Sequence, residues 1–250
     1  MSVLPITITA WSASAPGITT TEEWQQWCQQ ETPINDDGSA PSTQAIPAIL
    51  RRRLNRLGKR ALGVAMPLLA EQGDIPCVLS SRHGDLQRTV TLLRDLAEED
   101  TIALSPTHFS LSVHNAIGGL LSIIRKDTAN ITALSSGQAG LGNAFLEAAM
   151  LLAETEAEQV LCMIYDDPVP PPYDQDATIA PHYPYAAAFM LSNQSDETAT
   201  HLTLQRSSDE LIAGQQQHPE AILFIQWLLR QSPTPLSLVD RTASWQFSRR

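Results

Sequence analysis

The residues whose types and spacing suit chemistry converge on one stretch of the chain. Residues 130–134 (NITAL) read as a buried strand, and Ser135, Ser136, Gly137, Gln138, Ala139 and Gly140 as a tight turn. Residues 141–155 then form a strongly helical run, followed by a second buried strand, 159–165 (QVLCMIY). A sharp turn between a buried strand and a helix presents a side chain to the helix N-terminus. There the free N–H groups and the dipole lower a thiol's pKa and stabilise an oxyanion. Acyl-transfer enzymes place nucleophiles at such points. Here the turn holds Gln138, whose amide donates and accepts hydrogen bonds but cannot form a thioester. Ser135 and Ser136 lack a G-x-S-x-G frame, and serines in such turns act more often as caps. The spacing of Gly137, Gly140 and Gly142 is wrong for a dinucleotide fingerprint.

Other candidate groups are weaker. Cys28, Cys77 and Cys162 form no C-x-x-C pair. Cys77 and Cys162 lie in apolar runs without basic neighbours, where a cysteine behaves as a small hydrophobe. His108 and His114 are not at the i, i+4 spacing of a helical metal pair, and no H-E-x-x-H occurs. No metal or cofactor is therefore expected. Phe109, Val113 and Ile117 recur at i, i+4 and i+8, on one face of a helix predicted from Ser105-Pro106 to about residue 124. Gly118-Gly119 is its soft point. His83 sits in a predicted structural turn.

The elements that must position these groups follow from periodicity. Residues 6–11 read as a first strand, closed by Pro16 and Gly17; Thr20 and Glu23 then cap a helix that carries Trp24, Trp27 and Cys28 on one face. Residues 31–46 read as a surface loop. A single helical pattern covers 47–71, with Arg51, Arg52, Arg53, Arg56, Lys59 and Arg60 along it. That basic run reads either as a solvated helix face or as a docking surface for an acidic partner. Residues 76–80 form a buried-type strand and 85–98 a helix; 166–184 form a proline-rich loop. Residues 185–192 and 199–207 suggest two antiparallel strands added at one sheet edge, and 219–231 a last helix. The alternation predicts one α/β domain over residues 1–250, with a mixed, mostly parallel sheet.

The 250 residues have a formal net charge of −11, which excludes the basic footprint of a nucleic-acid binder. No stretch is long and apolar enough to span a bilayer, and the N-terminus does not read as a signal peptide. A cytoplasmic protein without membrane insertion is expected.

The strand, turn and helix around Gln138 resemble the condensing-enzyme family, the thiolase-fold ketosynthases, which carry T-A-C-x-S-G there. With a one-residue gap, the family's nucleophilic cysteine falls on Gln138. Gln138-Ala139-Gly140 is similar to the Q-A-G signature of chain-length factors, which pair with an active ketosynthase and lack its nucleophile. Residues 105–110 (SPTHFS), running on to His114-Asn115-Ala116, look like the segment upstream of the nucleophile, and 47–69 look like the small chain-length-factor-type subunits of aryl polyene clusters. The resemblance implies a truncated thiolase-like layered fold, the N-terminal half of a ketosynthase. It also implies no catalytic residue and no cofactor. The family's G-H-x-x-G and N-x-F-G-F-G-G histidine regions do not occur in these residues.

The resemblance further implies two kinds of contact. Phe109, Val113, His114 and Ile117 would face the partner or its acyl pocket. Asn130, Ile131, Thr132, Ala133 and Leu134 would form the strand that pairs across the subunit interface. The implied partners are a ketosynthase subunit, in a heterodimer or larger assembly, and an acyl carrier protein reached through that complex. Two rival readings remain at this level. One is a small acyltransferase or thioester hydrolase using Ser135, Ser136 or Cys162; the other is a stand-alone acyl-binding module.

Overall fold

The computed structural model describes residues 3–70, 73–98, 105–137, 139–175, 182–194, 197–207, 218–239 and 244–250. The first half of the chain runs β1 (Leu4–Ser14), α1 (Thr21–Gln30), α2 (Ala48–Arg51), α3 (Arg56–Leu69), β2 (Cys77–Ser80), α4 (Leu86–Glu98), α5 (Pro106–Ser112) and α6 (Ala116–Arg125). The second half runs β3 (Ile131–Leu134), α7 (Gly140–Glu154), β4 (Gln159–Asp166), β5 (Tyr185–Ser192), β6 (Thr200–Ser207), α8 (Glu220–Leu229), β7 (Leu236–Val239) and β8 (Ser244–Arg249).

The strands form one eight-stranded sheet in the order β3-β2-β4-β5-β1-β6-β8-β7. Alternation along the central strands builds two cores. From β4, Val160, Cys162 and Ile164 enter the core under α1, α7 and α8, while Leu161, Met163 and Tyr165 enter the one under α3 and α6. Helices thus cover both faces, which is why all eight residues of β5 are buried. Phe145 of α7 meets Phe189 of β5 and Phe224 of α8 edge to face, each at a centroid distance of 5.4 Å. Such pairs add about 0.5–1.5 kcal/mol each beyond the area they bury.

The expected sheet direction needs correcting. Only β2–β3 and β2–β4 are parallel; β4–β5, β5–β1, β1–β6, β6–β8 and β8–β7 are antiparallel. Parallel neighbours need a long crossover, usually a helix. α4, α5 and α6 supply one between β2 and β3, and α7 supplies one between β3 and β4. Between β4 and β5, the described residues hold only a short 3-10 turn at Tyr173–Gln175. β5 and β6 are also not an edge pair, because β1 lies between them and pairs with both. The C-terminal Trp245 and Phe247 belong to a further strand, β8.

Two predicted helices are each split. The run over 47–71 becomes α2 and α3 because Asn55, in an extended conformation, accepts the Gly58 N–H at 2.9 Å and starts a new helix. The run from Ser105 breaks at Val113, whose ψ of 149° is extended, and not at Gly118-Gly119. Gly118 lies inside α6, where an added Cβ would come within 2.8 Å of Ile131 Cγ2. Its role is close packing of α6 on β3. The caps at Thr20 and Ser105 form as the sequence suggests. Residues 31–46 contain no helix or strand, yet the loop is anchored: Ile46 is buried and the guanidinium of buried Arg60 donates to Ser39 O and Ser14 Oγ.

Candidate functional site

Leaving β3, the chain turns through Ser135, Ser136 and Gly137, the last at φ 61°, which glycine adopts without a Cβ penalty. Gln138 itself lies outside the described residues. Ala139 is the N-cap of α7 and supplies no side-chain hydrogen bond. A carboxylate from another helix serves this end instead. Glu220, at the start of α8 and only 8% exposed, accepts the Leu141 N–H through Oε2 at 3.3 Å. A buried carboxyl group therefore already occupies the N-terminal end of α7, where an acyl-transfer enzyme stabilises an oxyanion.

The rival nucleophiles are poorly equipped. Ser135 Oγ donates to Arg82 O at 2.9 Å, so its partner is a backbone carbonyl and not a base. Burial pushes the Cys162 thiol well above its ordinary pKa, raises that of Cys28, and pushes Cys77 up to about 12. None of the three is a thiolate at neutral pH.

Beside the turn sits a polar network that the sequence reading passed over. Asp166, the last residue of β4, accepts the Ser81 hydroxyl at 2.7 Å and the Arg82 N–H at 2.8 Å through Oδ1. Tyr185 of β5 donates to Oδ2 at 3.3 Å. Burial raises the Asp166 pKa to about 6, and the bonds from Ser81 and Arg82 only partly offset it. Ser81 Oγ in turn accepts the Gly84 N–H at 2.9 Å, and Ser81 O accepts His114 Nε2–H at 2.9 Å. An acidic pair directly after an apolar strand was the available signal. The predicted strand stopped at Tyr165 and left Asp166 in the proline-rich loop.

The four residues expected to face a partner do not share one face. Phe109 on α5 and Val113 at the α5–α6 corner are 58% and 40% exposed, whereas Ile117 on α6 is buried at 7%. The helix ends at Ser112, so the i+8 relation no longer holds. Val113, His114 and Ile117 do line a crevice, together with Leu54, Leu111 and Leu120. Its volume of about 10 Å³ admits a single water and no acyl chain.

β3 is an edge strand, paired only with β2 among the described residues. Cys77 N–H donates to Asn130 O and Ser81 N–H to Leu134 O, both at about 3 Å. The parallel ladder therefore turns the backbone groups of Ile131 and Ala133 to the open side. Its four residues are half-buried and uncharged. The basic run beyond the crevice is divided. Arg56 pairs with Asp36 at 2.6 Å and Asp167 at 3.5 Å, and Arg51 donates to Thr43 O, whereas Arg52 and Arg53 are exposed. Among the described residues no cluster suits a metal ion, and no helix is long and apolar enough to cross a membrane.

This fold, with its nucleophile-type turn after an edge strand, has a family. Residues 24–248 match the beta-ketoacyl synthase N-terminal domain, and the chain belongs to that family. Among solved structures it is similar to the ketosynthase (ApeO) in complex with its chain length factor (ApeC) from Xenorhabdus doucetiae. That match has 29% identity and a TM-score of 0.82, covering 98% of this chain and 100% of the other. The ishigamide ketosynthase/chain length factor is similar at 17% identity and TM-score 0.66, over 83% of this chain and 68% of the other. The type II PKS acyl-carrier protein–ketosynthase complex AntDE:AntF matches at 15% and 0.59, over 76% and 63%. These last two likenesses are of fold alone. No curated protein matches. The thiolase-like ketosynthase fold expected from the sequence is present.

Proposed function

We propose that the chain is a non-catalytic chain-length-factor subunit that pairs with an active ketosynthase and borders its acyl pocket. The pair, or a larger assembly, would serve chain elongation of the polyene, polyketide or fatty-acid type. The observation that carries this reading is β3, an uncharged edge strand with an open side, which leads directly into a turn that holds glutamine where an enzyme needs a nucleophile. Similarity over the full length to a ketosynthase–chain length factor complex supports it.

In this mechanism the open-side groups of Ile131 and Ala133 continue the partner's sheet, and Asn130 to Leu134 lie along the interface. Phe109, Val113 and His114 at the α5–α6 corner would face the partner's acyl pocket, while Ile117 is buried in this subunit. The crevice at their corner, about 10 Å³, is too small to hold an acyl chain by itself. The partner performs acyl transfer from an acyl carrier protein and the decarboxylative condensation. Exposed Arg52 and Arg53 offer positive potential to an acidic carrier.

Reconstitution with the partner ketosynthase and a loaded carrier protein tests this. Condensation is expected to require this chain and to survive Gln138→Ala. Consumption of an acyl thioester by the isolated chain, abolished by Ser135→Ala, would instead establish the hydrolase or acyltransferase reading.

A further inference from the structure

We infer that Asp166 is a positioning residue that fixes, through the Ser81–Gly84 loop, the corner this subunit presents to the growing acyl chain. The inference rests on the proposed pairing with a ketosynthase. Its basis is a continuous set of contacts. Asp166 Oδ1 holds the loop from beneath by two bonds, from the Ser81 hydroxyl and the Arg82 N–H. Ser81 O then receives His114 Nε2–H at 2.9 Å, which orients the imidazole at the α5–α6 corner between Val113 and Ile117. Gly84 closes the loop at φ 60°, with its open Cβ position 3.2 Å from His114 Cδ2 and 3.3 Å from His114 Cα. Arg82 O also accepts Ser135 Oγ at 2.9 Å, so the same loop grips the turn before α7. One buried carboxylate thus locks two elements that approach the partner.

The groups around Asp166 allow its state to be read out. Arg82 and His83 face it from the loop, Tyr185 from β5, and Glu220 of α8 lies beyond Tyr185; Asp167, next in the chain, is turned to Arg56. Burial in this setting brings the carboxyl into the range where mildly acidic buffer protonates it. Protonation weakens an ionic acceptor of two bonds.

The test uses the full chain in complex with its ketosynthase, comparing native, Asp166→Asn, Asp166→Ala and Gly84→Ala. Product chain length is read by mass spectrometry between pH 5.5 and 8 (about the range that brackets the carboxyl). Native complex is expected to shift its product distribution as pH falls through about 6, and Asp166→Asn to hold one distribution throughout. Asp166→Ala should move the mean product by about one two-carbon unit, because small misplacements at a site change outcome strongly. Gly84→Ala, which presses on His114 with the carboxylate intact, should move it too, and serves where Asp166→Ala does not fold. A distribution unchanged in both Asp166→Ala and Gly84→Ala overturns the inference. Absence of any complex with the native chain overturns the pairing instead.

Discussion

Burial of Asp166 carries an electrostatic cost, and that cost has a sign. Its pKa is about 6 in the folded chain against a reference of 3.8, so between these values the folded state binds the proton more tightly. The contribution to stability is fully present below about pH 4 and is lost as pH rises through about 6, a change of up to about 3 kcal/mol. Asp166→Asn should remove this component. Urea unfolding of native and variant chains at pH 4.5 and 7.5 (about the two limits) is expected to show a native-minus-variant difference that grows more unfavourable at the higher pH. A pH-independent difference would mean that the carboxyl is not buried in ionised form. The glutamine of the turn was readable at this scale, since it is a local fact of the sequence. The Asp166 network was not, because Ser81 and Asp166 are 85 positions apart and meet only when β2 pairs with β4. Glu220 on Leu141 N–H was hidden in the same way.

Among the elements, β3 is the one on which the proposed pairing rests. Natural edge strands are usually protected by charge, proline or a covering element. β3 has no charged residue, and among the described residues no strand pairs with its side away from β2. Ala133→Pro removes a donor from that open side without touching a bond to β2, and the extended Thr132 before it tolerates proline. Pull-down and circular dichroism should show a folded chain that no longer retains the ketosynthase, with affinity down about 100-fold or more for a lost strand pairing. Retention of the partner would place the interface elsewhere. The strand itself was legible in the sequence, as were the capped α1 and the helix after the turn. The α5–α6 break was not, because Val113 is apolar and continues the helical period, while the bond from His114 to Ser81 that fixes the corner is tertiary. Sheet direction was misread for a related reason. Periodicity reveals a strand but not its neighbours, and β1, the first strand in sequence, takes a central place between β5 and β6.

Over the whole molecule, charge is unevenly distributed. The net charge is −11, yet residues 51–60 contain six basic side chains and no acid. Folding consumes part of that run, burying Arg60 and pairing Arg56, and leaves Arg52 and Arg53 exposed. The double change Arg52→Glu and Arg53→Glu should lower kcat/KM for an acidic carrier protein about 10-fold at low salt, with the loss shrinking as ionic strength rises. An effect independent of salt would assign these arginines a structural role. The sequence left solvated face and docking surface as alternatives because it could not tell which arginines find acids, and the fold divides them.

The most direct measurement is the mass and composition of what co-purifies with a tag on this chain when it is co-expressed with the ketosynthase encoded nearest to it. A stoichiometric complex, lost on Ala133→Pro and able to condense only when this chain is present, is the expected result. A stable monomer that ignores the ketosynthase, in native and variant forms alike, would contradict the pairing through β3 and the function built on it.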